Sequence, residues 1–127
     1  MAPLISPWSA TGTLVFLAPG GAGASVLEWI DRTGRREPLA LAPGSYFYPR
    51  ISPDGTRVAL DVGDRGARDI WILDIARLAL SRLSDGPTDD MLAAWSPDGA
   101  RVFYSSNRHG NFDVYYRDVD VLLARRW

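Results

Sequence analysis

Hydrophobic and polar residues alternate over short runs in this chain, as in "TRVALDV" (residues 56–62) and "FDVYYRDV" (112–119). A period of two sends successive side chains to opposite faces of a strand, so both runs predict strands. In "DIWILDI" (69–75) β-branched and aromatic residues dominate, which points the same way. The connectors "DRTG", "GDRG" and "NRHGN" carry turn chemistry. The segment "DIARLALSRL" (74–83) fits a helical period, but its counterparts "DRTGRREPLAL" (31–41) and "DVDVLLARRW" (118–127) cannot both be helical. Strand is therefore expected at all of these places.

The pattern comes back along the chain. "YPRISPDGTRVAL" (48–60) returns in large part as "AAWSPDGARVFY" (93–104). Ser52-Pro53-Asp54-Gly55 recurs 44 residues later as Ser96-Pro97-Asp98-Gly99. A step of 43 in the other direction meets Ser9-Ala10-Thr11-Gly12, a degenerate copy that keeps the Ser and the Gly. Other columns agree: Trp8, Ile51 and Trp95 precede the turn, Val15, Val58 and Val102 follow it, and Asp31, Asp74 and Asp118 lie further on. In the turn, Pro presets φ, Asp is tolerated at the third position and Gly supplies a left-handed residue. Each copy then reads as four strands: about 3–9, 13–18, 25–31 and 36–41; 46–52, 56–62, 69–75 and 79–84; 90–96, 100–106, 112–118 and 120–126.

Four-stranded units at this period are propeller blades. The expected fold is all-β, a β-propeller of four-stranded antiparallel blades, with blades at about 1–43, 44–87 and 88–127. Closed propellers take roughly 4–8 blades. A three-blade arc leaves two apolar flanks bare, and Trp8, Phe16, Trp29, Phe47, Trp71, Trp95, Phe103 and Tyr115 are expected to pack between blades. Two copies complete a six-bladed ring, so a homodimer is expected; the alternative is a piece excised from a longer chain.

Composition removes several function classes. The formal charge is −1, which leaves no basic field for nucleic acid. All 14 basic residues are Arg, and only Glu28 and Glu37 among 15 acids are Glu. Without Cys there is no disulfide frame or thiolate site. No apolar run approaches the ~18 residues of a membrane span, so no membrane insertion is expected. "MAPLISPWSATG" lacks the layout of a signal peptide.

The stretch "PRISPDGTRVAL…RDIWILD…SRLSDGPTDDMLAAWSPDGARVFYSSNRHGNFDVYYRD" resembles the TolB-type, WD40-like β-propeller repeat, with an aromatic before SPDG, a hydrophobic strand, a short Asn/Asp/Gly loop and Asp-Ile/Val-Tyr/Trp. The match covers 44–120; over 1–43 "SATG" stands for "SPDG" and "SVLEW" for "RDIWI". "LEWIDRTGRREPLA" is also similar to the propeller portions of some bacterial Ser/Thr kinases, although no kinase motif is present. The resemblance implies scaffolding and interaction, often in the periplasm or elsewhere outside the cytoplasm.

Candidate chemistry gathers on the first strand of each blade, which starts near the channel. These residues are Asp89 and Asp90 in the third blade, and Ser45, Tyr46, Tyr48 and Arg50 in the second. Twofold symmetry would converge four carboxylates on one divalent cation such as calcium, with Asp89 and Asp90 as metal ligands. The competing reading of this pair is a solvated turn. Arg50, Tyr46 and Tyr48 are the candidate ligand-binding residues.

His109 in "NRHGN", the only His, is a candidate general base or metal ligand, and Asp90 is the other candidate catalytic residue. The matching loop "GDRGA" carries Arg65 instead, so a decorative loop residue competes with that role. Asp61, Asp64 and Asp69 are spaced like calcium ligands but lack the EF-hand pattern. Asp69 and Asp113 recur, and backbone N–H groups of a neighbouring turn are their expected partners. Tyr46, Tyr48, Tyr104, Tyr115 and Tyr116 form either an aromatic rim or core. "PGGAGAS" (19–25) lacks the Lys of a phosphate cradle, and no G-x-S-x-G occurs.

These features favour a non-catalytic module that binds a protein or small ligand at the channel mouth. A metal-dependent hydrolase of lactones, esters or phosphotriesters is the alternative, and a fragment without its own activity is a third reading.

Overall fold

The computed structural model describes residues 12–119. It contains three antiparallel sheets that follow one another along the chain. The first holds β1 (Leu14–Pro19), β2 (Ser25–Ile30) and β3 (Arg36–Pro38), hydrogen-bonded in that order. The second holds β4 (Tyr46–Ile51), β5 (Arg57–Val62), β6 (Asp69–Asp74) and β7 (Ala79–Arg82), again in chain order. The third holds β8 (Asp90–Trp95), β9 (Arg101–His109) and β10 (Asn111–Asp118). The strands expected at 3–9 and 120–126 lie outside the described residues. The middle sheet is a complete four-stranded meander, and the flanking sheets repeat its pattern.

The SPDG turns explain why the repeat is kept. Ser52 Oγ donates to Asp54 Oδ1 at 2.7 Å and accepts from Arg57 N at 3.0 Å. Asp54 Oδ1 also accepts from Thr56 N at 3.0 Å, and Gly55 N donates to Ser52 O at 2.9 Å. The second copy has the same bonds, Ser96 Oγ to Asp98 Oδ1 at 2.6 Å and Arg101 N to Ser96 Oγ at 3.0 Å. The Ser52 hydroxyl beside Asp54, and Ser96 beside Asp98, hold both carboxyls below the usual range. Gly55 and Gly99 sit at φ 77° and 72°, where a Cβ is strained. Ser and Asp thus satisfy backbone donors that a bare turn would leave open.

Two cores flank the middle sheet. Val58, Leu60 and Leu73 join Val15, Leu27 and Leu39 on the side of the first sheet. Ala59, Ile70 and Ile72 join Ala93, Trp95, Val102 and Tyr104 on the side of the third. Alternation along β5 and β6 therefore buries both faces, because each face meets another sheet.

Several expectations shift. Among the expected inter-blade aromatics that are described, Trp95 is buried, while Phe16, Trp29, Phe47, Trp71, Phe103 and Tyr115 are half-buried. The core is built mainly from aliphatic residues. "NRHGN" is less of a loop than expected: Asn107 to His109 continue β9, and a register shift between Asn111 and Asp113 absorbs the tight hairpin. "DIARLALSRL" turns after β6 and then forms β7, in line with the strand expectation.

Candidate functional site

β4 and β8 are the first strands of their sheets, each paired on one side, and they lie against one another. Each carries a bulge: register shifts occur between Phe47 and Arg50 and between Met91 and Ala94. At the bulges Tyr48 (φ 47°) and Leu92 (φ 60°) adopt the left-handed region, unusual for bulky residues. They are 44% and 47% exposed, so the bulge turns each side chain out of the sheet.

Behind the bulges lies a buried polar joint between the second and third sheets. Arg68 grips Asp89 through Nε–Oδ1 and Nη2–Oδ2 bonds, both 2.8 Å, and its backbone N adds a third bond to Oδ1 at 3.1 Å. This Arg68 bidentate contact holds the Asp89 carboxyl below its usual pKa. Asp89 N in turn donates to Asn107 Oδ1 at 2.9 Å, and Asp90 N to Arg68 O at 2.8 Å. Asp90 is fully buried; Thr88 Oγ1 donates to its Oδ1 at 2.9 Å, and Arg108 Nη2 stands 3.7 Å from Oδ2. Asp61, also fully buried, accepts Leu92 N on Oδ2 at 3.0 Å, while its Oδ1 has no partner. Burial pushes the Asp61 carboxyl up to about 7, against the Leu92 N–H and the charges of Arg68 and Arg50. Trp95 Nε1 donates to Arg50 O at 2.8 Å, and Arg50 Nε is buried without a partner.

The candidates read from sequence are thus distributed unevenly. Asp89 and Asp90 meet at the joint, facing guanidinium groups. Tyr46 lies in the core and donates its hydroxyl to Ala42 O at 2.8 Å, whereas Tyr48 is exposed and Arg50 half-buried. Ser45 is exposed. His109 is exposed at the end of β9 with its ring 5.9 Å from that of Tyr115, and Arg108 rather than His109 reaches Asp90. Asp69 pairs with Arg82 across β6 and β7, a guanidinium instead of the backbone N–H groups expected. Among the described residues, no three His, Asp or Glu side chains gather as a metal site. Tyr104 is core, Tyr115 packs on it, and Tyr116 is exposed. Sequence reasoning misses Arg68, Arg108 and Arg57. Of these only Arg57 leaves a signal in the repeat, because Arg101 occupies its column.

The outward flank of the third sheet is the other notable surface. Phe112, Val114 and Tyr116 are 50%, 72% and 54% exposed. A shift of 44 residues carries Ala59, Asp61, Ile70 and Ile72, which face the third sheet, onto Phe103, Ser105, Val114 and Tyr116. This flank therefore matches a face that is buried one repeat earlier. Among the described residues no helix is long and apolar enough to cross a membrane.

A family model described as the TolB beta propeller domain matches residues 1–126. The TolB structure from Acinetobacter baumannii is similar at 23% identity and TM-score 0.71, over 92% of this chain and 30% of that one. Oligogalacturonate lyase from Vibrio parahaemolyticus matches at 14% identity and TM-score 0.73, over 90% of this chain and 34% of that one. The β-propeller domain of the trilobed protease from Pyrococcus furiosus matches at 16% and TM-score 0.64, over 86% and 36%. At these identities the likeness is one of fold. The chain spans about a third of each structure's length.

Proposed function

This chain belongs to the TolB β-propeller family, and from that premise we propose that it is an interaction module whose bare third-blade flank is covered by a second copy. Two copies then close a six-bladed ring with a ligand site at the channel mouth, where Tyr48 and Arg50 meet the ligand. The observation that carries the reading is the flank itself. Val114 and Tyr116 occupy the repeat positions of the buried Ile70 and Ile72, yet are 72% and 54% exposed. Covering each such side chain is worth about 1.5–3 kcal/mol. An uncovered patch of this kind is the ordinary mark of an interface. Cyclic closure satisfies both flanks with one kind of contact.

The test is sedimentation equilibrium at micromolar concentration. The expected result is a species of twice the chain mass that Val114→Asp converts to a folded single subunit. A wild-type chain that sediments as a folded single subunit would refute the reading.

A further inference from the structure

The joint between the second and third blades contains a contact that the repeat carries forward. Arg57 reaches across it: Nη2 donates to Gly99 O at 3.1 Å, and the guanidinium stands 5.2 Å from the Trp95 ring centroid. Pro53 closes the same place, its Cδ lying 3.9 Å from where a Cβ on Gly99 would sit. The next blade thus presents an aromatic and a turn glycine, and the preceding blade grips both with a planar cation. In the first blade Leu14 holds the position of Arg57. Gly55, which corresponds to Gly99, is half-buried where Gly99 is buried.

In the third blade the position belongs to Arg101, and the place where the next turn would sit is a hollow of about 510 Å³. It is lined by Ser96, Pro97, Arg101, Phe103 and Asp118 among others. These correspond to Ser52, Pro53, Arg57, Ala59 and Asp74 of the second blade. Arg101 rests on its own sheet here, 4.8 Å from the Tyr116 ring centroid and 2.8 Å from Asp118 Oδ1. Its side chain is half exposed.

We infer that this hollow is a socket for the aromatic and turn glycine that open an incoming blade, and that Arg101 closes over them. The inference rests on the reading of the flank as a contact between two copies. The occupant is the first blade of the second copy. In sequence Trp8 stands where Trp95 stands, and Gly12 where Gly99 stands. Gly12 also shares the left-handed backbone of the two SPDG glycines, at φ 88°. Trp8 lies outside the described residues.

The experiment measures dimer dissociation by sedimentation for the wild type, Arg101→Ala, Trp8→Ala and Trp8→Phe, with far-UV circular dichroism checking the fold of each. Arg101→Ala and Trp8→Ala should each weaken the dimer roughly tenfold or more, and Trp8→Phe by less, since it keeps a ring for the cation. Each ring holds two such sockets. Mixing Arg101→Ala with Trp8→Ala chains rebuilds one intact socket, so the mixed dimer should form in preference to either variant's own dimer. If the wild type dimerises and Val114→Asp breaks the dimer, while Arg101→Ala and Trp8→Ala bind like wild type, the socket is overturned and the dimer stands. Mixing that brings no preference overturns the socket in the same way. A monomeric wild type overturns the underlying reading as well.

Discussion

Asp61 makes the joint between the second and third blades a titrating one, and the sign of its effect can be worked from its surroundings. The carboxyl is fully buried, accepts one N–H from Leu92 and leaves Oδ1 without a partner. Arg50 and Arg68 favour its charge and Asp89 opposes it, but burial dominates and raises the group from 3.8 to about 7. An acid whose folded pKa is raised binds its proton more tightly in the native state than in the unfolded chain. Its stabilising contribution is therefore complete below the unfolded value near 3.8, declines as pH rises, and is lost once pH has passed about 7. A shift of that size corresponds to a loss on the order of 4 kcal/mol. Asp54, Asp89 and Asp98 have lowered values and act in the opposite sense, but only as pH falls below the ordinary carboxylate range. Between pH 5 and 8 the Asp61 effect governs the slope. Asp61→Asn keeps an acceptor for Leu92 N–H and stays neutral throughout. Urea unfolding at a series of pH values should show wild-type stability falling from pH 5 to 8 and the variant nearly flat, with the variant the more stable at pH 8. Parallel profiles for the two proteins would refute the argument.

Three further outcomes follow from contacts already described. Arg68→Ala strands the Asp89 carboxylate in a buried site and should cost about 3–5 kcal/mol in urea unfolding, with the double change Arg68→Met, Asp89→Leu recovering much of it. Ser52→Ala and Ser96→Ala each remove a hydroxyl that donates to the turn Asp and accepts the following N–H, so each should lower stability by about 1–2 kcal/mol at neutral pH. Trp95→Phe keeps one aromatic ring but removes the N–H that Arg50 O accepts and part of a buried indole; a loss of about 2 kcal/mol in urea unfolding is expected, and none at all would mean that this bond is not made in solution.

The blade pattern was legible because the repeat states it more than once. Ser52 and Ser96, Gly55 and Gly99, Val58 and Val102 each do the same physical job in two sheets, so alignment of the chain with itself finds them. The polar joint was not legible for the opposite reason. Arg68 corresponds to Phe112 one repeat later, Asp61 to Ser105, and Asp89 to Ser45 one repeat earlier. Such residues have no column, and a bidentate grip across 21 positions has no local signature. The bulges at Tyr48 and Leu92 were hidden too, since a non-glycine residue at positive φ announces nothing in sequence. Asp89 and Asp90 are legible as a pair because they open the first strand of the third blade, but which cations face them is a property of packing.

The contrast bears on how the blades are held in register. Apolar burial along β5 and β6 is non-directional and would tolerate small slips of one blade on the next. The single-copy contacts do not: Arg68 on Asp89 and Leu92 N on Asp61 are satisfied in one alignment of β5, β6 and β8 only, and a slip would bury unpaired charge. Arg57 on Gly99 and Trp95 adds a third constraint at the opposite end of β5. Specific polar contacts therefore fix the second joint, while among the described residues an apolar cluster around Val15, Leu27 and Tyr46 packs the first. Of those constraints, only the Arg57 grip has its residue type preserved on the free flank, as Arg101. If a second copy covers the flank as proposed, the contact should therefore be sensitive to this one side chain, with Phe103, Val114 and Tyr116 supplying most of the apolar area.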